Sequence, residues 1–504
     1  MLQLVRRLSN KFHSLYSRSL DESIMENLLS NIVDFALQHN STYADCRYVK
    51  DNYELLEAKN GSPSRLSDSC RSGIGIRVLL DGAWGFASTN DLKRSALEKS
   101  LKIAIKIAKV TAENTKTKKE LCSEKIYQDT YHTPHKIDPF SINTDEKIIP
   151  LVEGTKLLIE QDSRIRNASA SLLSRKYFTE LVTSEGTHIS QTLIQCGASL
   201  TGMLMAGPGG MVVRTNENYQ AKGFEFLDEF DLYSQAVTTG SDLKILADKA
   251  VNAPSGKFNL VLEPSHLGLA IHESVGHPTE LDRVLGRETD FAGTSFIQPS
   301  FLDENFQYGS EIVNIVHDPT LTPALGAYAY DDGGTKAHRL SVVENGRFSA
   351  FQSDRSTARE IGLTSASGNS RAHGHDRLPI DRMANLYFEP NIKYALSSLD
   401  ELIEEAKSGI YALYSRTHSI SPNRSNFQFT TQMGYLIEKG ELSKPLKNVV
   451  YGSRTLDFWK KCLATTKTVE IFGTPKCGKG NPGQTIWTSH GGSHTLFEDI
   501  RIGA

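Results

Sequence analysis

No stretch of this 504-residue chain approaches the roughly 18 consecutive apolar residues that cross a bilayer as a helix. A membrane span of that kind is therefore excluded. An excess of one charge is also missing. The 56 basic and 59 acidic residues leave a formal net charge of −3, which argues against a nucleic-acid partner held by bulk electrostatics. The six cysteines (Cys46, Cys70, Cys122, Cys196, Cys462, Cys477) show no paired spacing. In a chain of this size that predicts free thiols in a reducing compartment. No G-x-x-x-x-G-K-[ST] loop occurs, so the glycines between 73 and 85 carry no nucleotide signal. What remains, 39% hydrophobic and 23% charged residues, describes a globular protein long enough for two or three domains.

The first unit is residues 1–20, where Arg6, Arg7, Lys11 and Arg18 occur among serines with no acid before Asp21. It reads as an N-terminal helical arm in a cytoplasmic protein. A transit peptide, and hence an organelle matrix, is the alternative. Residues 21–252 are expected to form an α/β domain with an antiparallel sheet. Its helices are predicted over 22–39, 92–112, 145–161 and 230–250. Its strands are predicted over 43–49, 53–59, 167–177, 178–183, 190–198 and 211–215, with a hairpin over 73–87 turning at Asp81-Gly82. Residues 113–139 read as a polar connection or lid. After the boundary at Asn252-Ala-Pro-Ser-Gly256, residues 253–504 are expected to form a β-rich domain carrying the chemistry. There Asp331-Asp-Gly-Gly334 suggests a hairpin, and 400–407 a short charged helix. The fold class is thus α+β.

Within the second domain lies His272-Glu-Ser-Val-Gly-His277-Pro278. Two imidazoles can bind Zn²⁺ while a neighbouring, non-ligating Glu takes a proton from the attacking water. The familiar zinc-peptidase motif has one residue fewer between its histidines. At roughly 100° per residue, i and i+5 point apart on a regular helix. Gly276 tolerates unusual backbone angles and Pro278 disfavours α geometry at His277. A helix that ends or bulges at Gly276 is therefore expected, swinging His277 back towards His272. Residues 258–262 read as a buried strand and 267–271 as an apolar helix face that hold the motif.

A catalytic zinc takes three protein ligands as a rule. Candidates for the third are His373 and His375, His490 and His494, and Cys477, whose neighbours Lys476 and Lys479 favour the thiolate. The residues alone leave this choice open.

The chain resembles the metal-binding, TldD-type branch of the TldD/PmbA family of metallopeptidases. The matching runs are Arg71–Val78 with Gly82–Ser88, His272–Asp282, Ser367–Arg371, Pro379–Asn385, Gly434–Ile437 and Cys477–Lys479. The resemblance implies one zinc ion per catalytic chain, held by His272, His277 and Cys477, with Glu273 as general base. It also implies an enclosed site in a dimer, either a homodimer or a heterodimer with a PmbA-type subunit, acting on unstructured or short peptides. One departure is Asp331-Asp-Gly-Gly334, where relatives tend to carry Glu at the third position, which puts substrate contacts or hairpin packing in doubt. The final segment, with His490 and His494, matches poorly, and neither histidine is assigned a role.

The expected function is therefore hydrolysis of unfolded peptides by metal-activated water. Glu280 or Asp282 is a candidate to orient a ligating histidine. Arg371, Arg382 and Asn385 are candidates for peptide contacts, although structural pairing is the more common fate of such side chains. A non-catalytic or regulatory subunit of a heterodimer is the alternative, and a redox-sensitive metal-binding protein is a third reading.

Overall fold

A computed structural model describes residues 22–207 and 210–503; the basic arm assigned to residues 1–20 lies outside the described residues. The fold is mixed α+β. Its N-terminal half is built on seven strands: β1 (Tyr43–Lys59), β2 (Ser62–Leu80), β3 (Ala83–Thr89), β4 (Gln128–His132), β5 (Ile165–Thr183), β6 (His188–Met205) and β7 (Met211–Gln220). They run in the order β3-β2-β1-β5-β6-β4, with β7 also on β6. All pairings are antiparallel except β4–β6, so the expected antiparallel sheet carries one parallel pair.

β2, β6 and β7 run beyond their predicted bounds, β5 joins the two contiguous runs predicted over 167–183, and β1 joins the runs 43–49 and 53–59. β1 continues through its polar stretch because a charge there finds a partner across the sheet. Asp51, in the middle of β1, accepts two hydrogen bonds from Arg175 of β5, at 2.8 and 3.1 Å. The hairpin β2–β3 turns at Asp81-Gly82, both with positive φ. Helix Arg94–Asn114 buries Leu97, Leu101, Ala104, Ile105 and Ala108, the stripe expected of an amphipathic helix. It lies so close to β3 that a Cβ on Gly85 would sit 1.9 Å from the carbonyl oxygen of Ala104. The helix predicted over 230–250 is Leu232–Asp248, and a further short helix, Phe226–Phe230, precedes it. Asp231 is left-handed between them and caps the longer by accepting from Ser234 N–H.

The C-terminal half has two larger sheets. In one, Ser408–Ile420, Gly256–Leu262, Thr495–Ile502, Val450–Arg454 and Asn426–Glu438 succeed one another, and Ser408–Ile420 also pairs with Asn426–Glu438, so this part of the sheet closes on itself. The other places Asn385–Phe388 beside Gln484–Gly492, with Glu470–Lys479 at its edge. Helix Pro264–Ile271 packs between the two. Its Leu267, Ala270 and Ile271 are wholly buried in the main core with Leu260, Leu386, Phe388 and Phe497. The Asp331–Gly334 segment is a turn bounded only by the bridge between Tyr330 and Lys336. Its flanks are short because Asp331 spends its carboxylate on the N–H groups of Gly333, Thr335 and Ser370. A Cβ at Gly333 would meet only ordinary contacts, so its lack of a side chain does not distort the turn.

No helix among the described residues is long and apolar enough to cross a membrane. All six cysteines are free thiols, and only Cys70 is exposed.

Candidate metal centre

The helix bearing the H-E-x-x-x-H sequence starts with Pro264 in its first turn and with Glu263 accepting from His266 N–H at 2.9 Å. Both are favourable at a helix N-terminus. The chain then widens into a π turn over His272–Gly276, closed by His277 N–H donating to the His272 carbonyl. A 3₁₀ turn, His277–Thr279, follows. Of the two expectations for Gly276, an ending or a bulge, the chain takes the bulge, while the expected departure of His277 from α geometry ahead of Pro278 is corrected. Gly276 (φ −58°, ψ −67°) and His277 (φ −62°, ψ −41°) both remain right-handed helical. The extra residue is taken up by the wider turn, a device frequent at functional sites. It brings the two imidazoles face to edge, with centroids 4.8 Å apart.

Carbonyls freed by the irregular turn are taken by side chains. Tyr308 Oη donates to Ser274 C=O, Thr279 Oγ1 to Val275 C=O at 2.7 Å, and Gln352 Nε2 to Gly276 C=O at 2.8 Å. Gly276 is needed for space rather than for its backbone angles, since a Cβ there would lie 2.8 Å from Met383 Cε. Gly276→Ala is expected to destabilise the protein by about 1–3 kcal/mol as Met383 is displaced, measured by denaturant unfolding; an unchanged midpoint would show that the thioether moves freely.

Cys477 reaches the same point from strand Glu470–Lys479. The register against Gln484–Gly492 shifts between Thr474 and Cys477, and such bulges re-aim side chains. The ligating atoms of His272, His277 and Cys477 all lie within 4.8 Å of one another and are buried. Cys477 Sγ is 3.7 Å from His277 Nε2 and 3.1 Å from Arg382 Nη2, which also donates to the Cys477 carbonyl at 2.6 Å. Burial alone raises a thiol pKa, but Arg382 and then His277 outweigh it and hold Cys477 below the ordinary thiol value. Burial lowers the pKa of His272. Its Nδ1 is buried with no hydrogen-bond partner among the described residues. Two imidazoles and a thiolate-favouring cysteine form a donor set that fits zinc.

Around these groups the charges are wholly buried. His277 Nδ1 donates to Glu280 Oε2 at 2.9 Å, the contact that leaves Nε2 facing Cys477. Burial opposes ionisation of Glu280, but Lys479, His277 and Arg382 outweigh it and hold the carboxyl well below its usual range. Of the two candidate orienting acids, Glu280 thus meets a histidine. Asp282 instead accepts from Lys479 Nζ at 2.5 Å and from Arg283 N–H at 2.7 Å.

Glu273 has partners that sequence reasoning missed. Arg424 Nη1 donates to its Oε2, and His418 Nε2 lies 3.2 Å from its Oε1. Burial raises the carboxyl pKa, but His418, the two motif histidines and Arg424 together bring it well below normal. Neither partner is signalled in the sequence, since both sit some 150 residues downstream in a polar hairpin.

The other candidates go elsewhere. His373 Nδ1 donates to Thr485 C=O at 2.6 Å, and His375 lies against Gly73. His494 faces Tyr411 Oη at 3.3 Å. Asn385 bridges Gly326 N–H and Asp318 C=O, and Arg371 donates to the carbonyls of Met383 and Trp487. His490, to which the sequence assigned nothing, has its ring centroid 5.0 Å from that of His272.

Comparison with known proteins gives the chain a family. The model of the PmbA/TldA metallopeptidase C-terminal domain matches residues 255–504, and that of domain 1 matches residues 44–108. A metalloprotease of Methanocaldococcus jannaschii is 30% identical over 453 residues, covering 89% of this chain and 94% of its own. The chain belongs to the TldD/PmbA family. Another TldD/PmbA relative, the zinc metalloprotease TldD homolog of Saccharolobus solfataricus, is 24% identical and covers 92% of this chain and 97% of its own. TldE from Thermococcus kodakarensis shares the fold, with a TM-score of 0.72 at 17% identity over 94% of this chain and 99% of that one. The names of the TldD/PmbA relatives support a metallopeptidase-type function.

Proposed function

We propose that this protein is a zinc-dependent peptidase that hydrolyses unfolded or short peptides, with Glu273 as general base. The observation carrying this reading is the convergence of His272, His277 and Cys477 within 4.8 Å, one residue from a buried carboxylate. A zinc ion held by these three side chains supplies Lewis-acid polarisation and acidifies water. The chain's own residues do the rest. Glu280 fixes the tautomer and orientation of His277. Glu273 accepts a proton from the attacking water and delivers it to the leaving amine.

The test is zinc content together with cleavage of an unfolded polypeptide. Wild type is expected to hold one zinc ion, to lose activity on chelation and to regain it with added zinc. In Cys477→Ser, zinc affinity is expected to fall by more than the roughly 100-fold that an outer contact is worth. The TldE likeness favours a second reading, a subunit active only beside a partner. Protein that binds no metal and cleaves nothing until a second chain is added would establish that reading instead.

A further inference from the structure

We propose that Arg424 is a catalytic residue of this hydrolysis: its guanidinium pairs with Glu273 at rest and takes the oxyanion of the tetrahedral intermediate as its partner once Glu273 is protonated. The proposal rests on the reading of Glu273 as general base.

Arg424 is held in place before any substrate arrives. It sits in the turn between strands Ser408–Ile420 and Asn426–Glu438. Its N–H donates to Ser421 C=O at 2.8 Å, and its own carbonyl accepts from Thr455 Oγ1 at 2.6 Å. The turn is tied down by Thr294 N–H donating to Pro422 C=O at 3.0 Å. The Arg424 side chain is 12% exposed beside a Glu273 side chain that is 9% exposed. One guanidinium nitrogen, Nη1, is on Glu273 Oε2, while Nε is buried and closed to an incoming ligand. A planar guanidinium presents several donors in a fixed fork, so the Nη end, beside the carboxylate, is the part that can meet a second anion. His418, 44% exposed, occupies the other oxygen from the solvent side and positions Glu273.

The charges then follow from the reaction. Water attacks the scissile carbonyl carbon; its O–H bond breaks, the proton passes to Glu273, and the carbonyl π pair moves onto oxygen. At that moment Glu273 becomes neutral and Arg424 loses its counter-charge in a site where an unpaired cation is costly. The negative charge has appeared on the oxyanion instead. Pairing Arg424 with it restores neutrality without moving the backbone, which is the condition for effective electrostatic catalysis. On collapse the C=O bond re-forms, the C–N bond breaks, and Glu273 gives its proton to the amine. Arg424 keeps all its protons throughout.

The test compares Arg424→Lys, which keeps the charge, with Arg424→Gln, which keeps polarity and length without it. Zinc content, kcat and KM on an unfolded peptide, and calorimetric affinity for a phosphinic peptide, a stable mimic of the tetrahedral anion, are measured on each. Arg424→Gln is expected to retain its zinc and lose about 100–1,000-fold in kcat, with KM changed by no more than about threefold. Phosphinate affinity should fall in parallel with kcat, and Arg424→Lys should recover most of both losses. Equal activity and equal phosphinate affinity in the Lys and Gln variants would overturn the assignment and leave Arg424 a structural tether. A wild type that holds zinc and cleaves nothing would instead overturn the peptidase reading itself.

Discussion

Glu273→Gln is expected to suppress peptide hydrolysis by roughly 10²–10⁴-fold, the range spanned by general-base catalysis, while zinc remains bound. The substitution preserves shape and leaves His272, His277 and Cys477 untouched, so metal content isolates chemistry from site assembly. The structure makes the expectation less than automatic. Arg424 and His418 engage both oxygens of Glu273 and, with the motif histidines, hold its carboxyl well below the usual range. So low a pKa makes a weak base in the resting site. Each carboxylate oxygen has a second lone-pair direction, so the attacking water can still donate to Glu273. Neutral imidazoles that give electron pairs to zinc cannot also carry protons that depress the acid. Full activity in a zinc-loaded Glu273→Gln protein would eliminate Glu273 as base and shift attention to His418.

The sequence made the motif and its anomaly visible but not the anomaly's resolution. Five-residue spacing can be met by breaking a helix or by widening it, and Gly276 permits both. Packing decides, because the side chains of Tyr308, Thr279 and Gln352 satisfy the carbonyls of a widened turn. Cys477 could be singled out from the histidines only through the family resemblance, since no local spacing joins two segments 200 residues apart. The same holds for Arg424 and His418, whose setting in the sequence is that of any polar hairpin. In the N-terminal half, β1 looked like two strands because Asp51 and Asn52 interrupt its apolar pattern. The charge of Asp51 is compatible with a buried strand only because Arg175 is opposite, a contact set by register rather than by neighbours in sequence.

The largest effect on stability is expected at Lys479. Its side chain is wholly buried, with Nζ 2.5 Å from Asp282 Oδ1, 3.2 Å from Glu280 Oε2 and 2.6 Å from the Asp381 carbonyl. Burial, followed by the charges of Asp354 and Asp282, raises the Asp381 carboxyl well above its usual range. Lys479 is therefore the cation that compensates Glu280 and Asp282 at closest range. Lys479→Met leaves those carboxylates short of a partner, and breaking a buried pair in this way costs about 3–5 kcal/mol. Adding Asp282→Leu should return much of that loss, because an apolar replacement of both partners removes the uncompensated charge. Glu280 and Lys479 each contribute to the pH dependence with a definite sign, whereas Asp282 and Asp381, whose carboxyl pKa values burial raises, act in the opposite sense to Glu280. Glu280 has a folded pKa below its unfolded value, so its contribution is present above about pH 4.5 and is lost as pH falls through the folded value. Lys479 is shifted upward, so its contribution is complete at neutral pH and is lost only as pH rises through its folded pKa. Denaturant unfolding of zinc-free protein separates this from the metal. Zinc affinity should fall a further 10–100-fold in Lys479→Met, because a Glu280 that takes up a proton no longer orients His277. If the variant unfolds at the wild-type midpoint, the buried charges are compensated by Arg382 and Arg283 alone, and the cluster exists to hold His277 rather than to hold the fold.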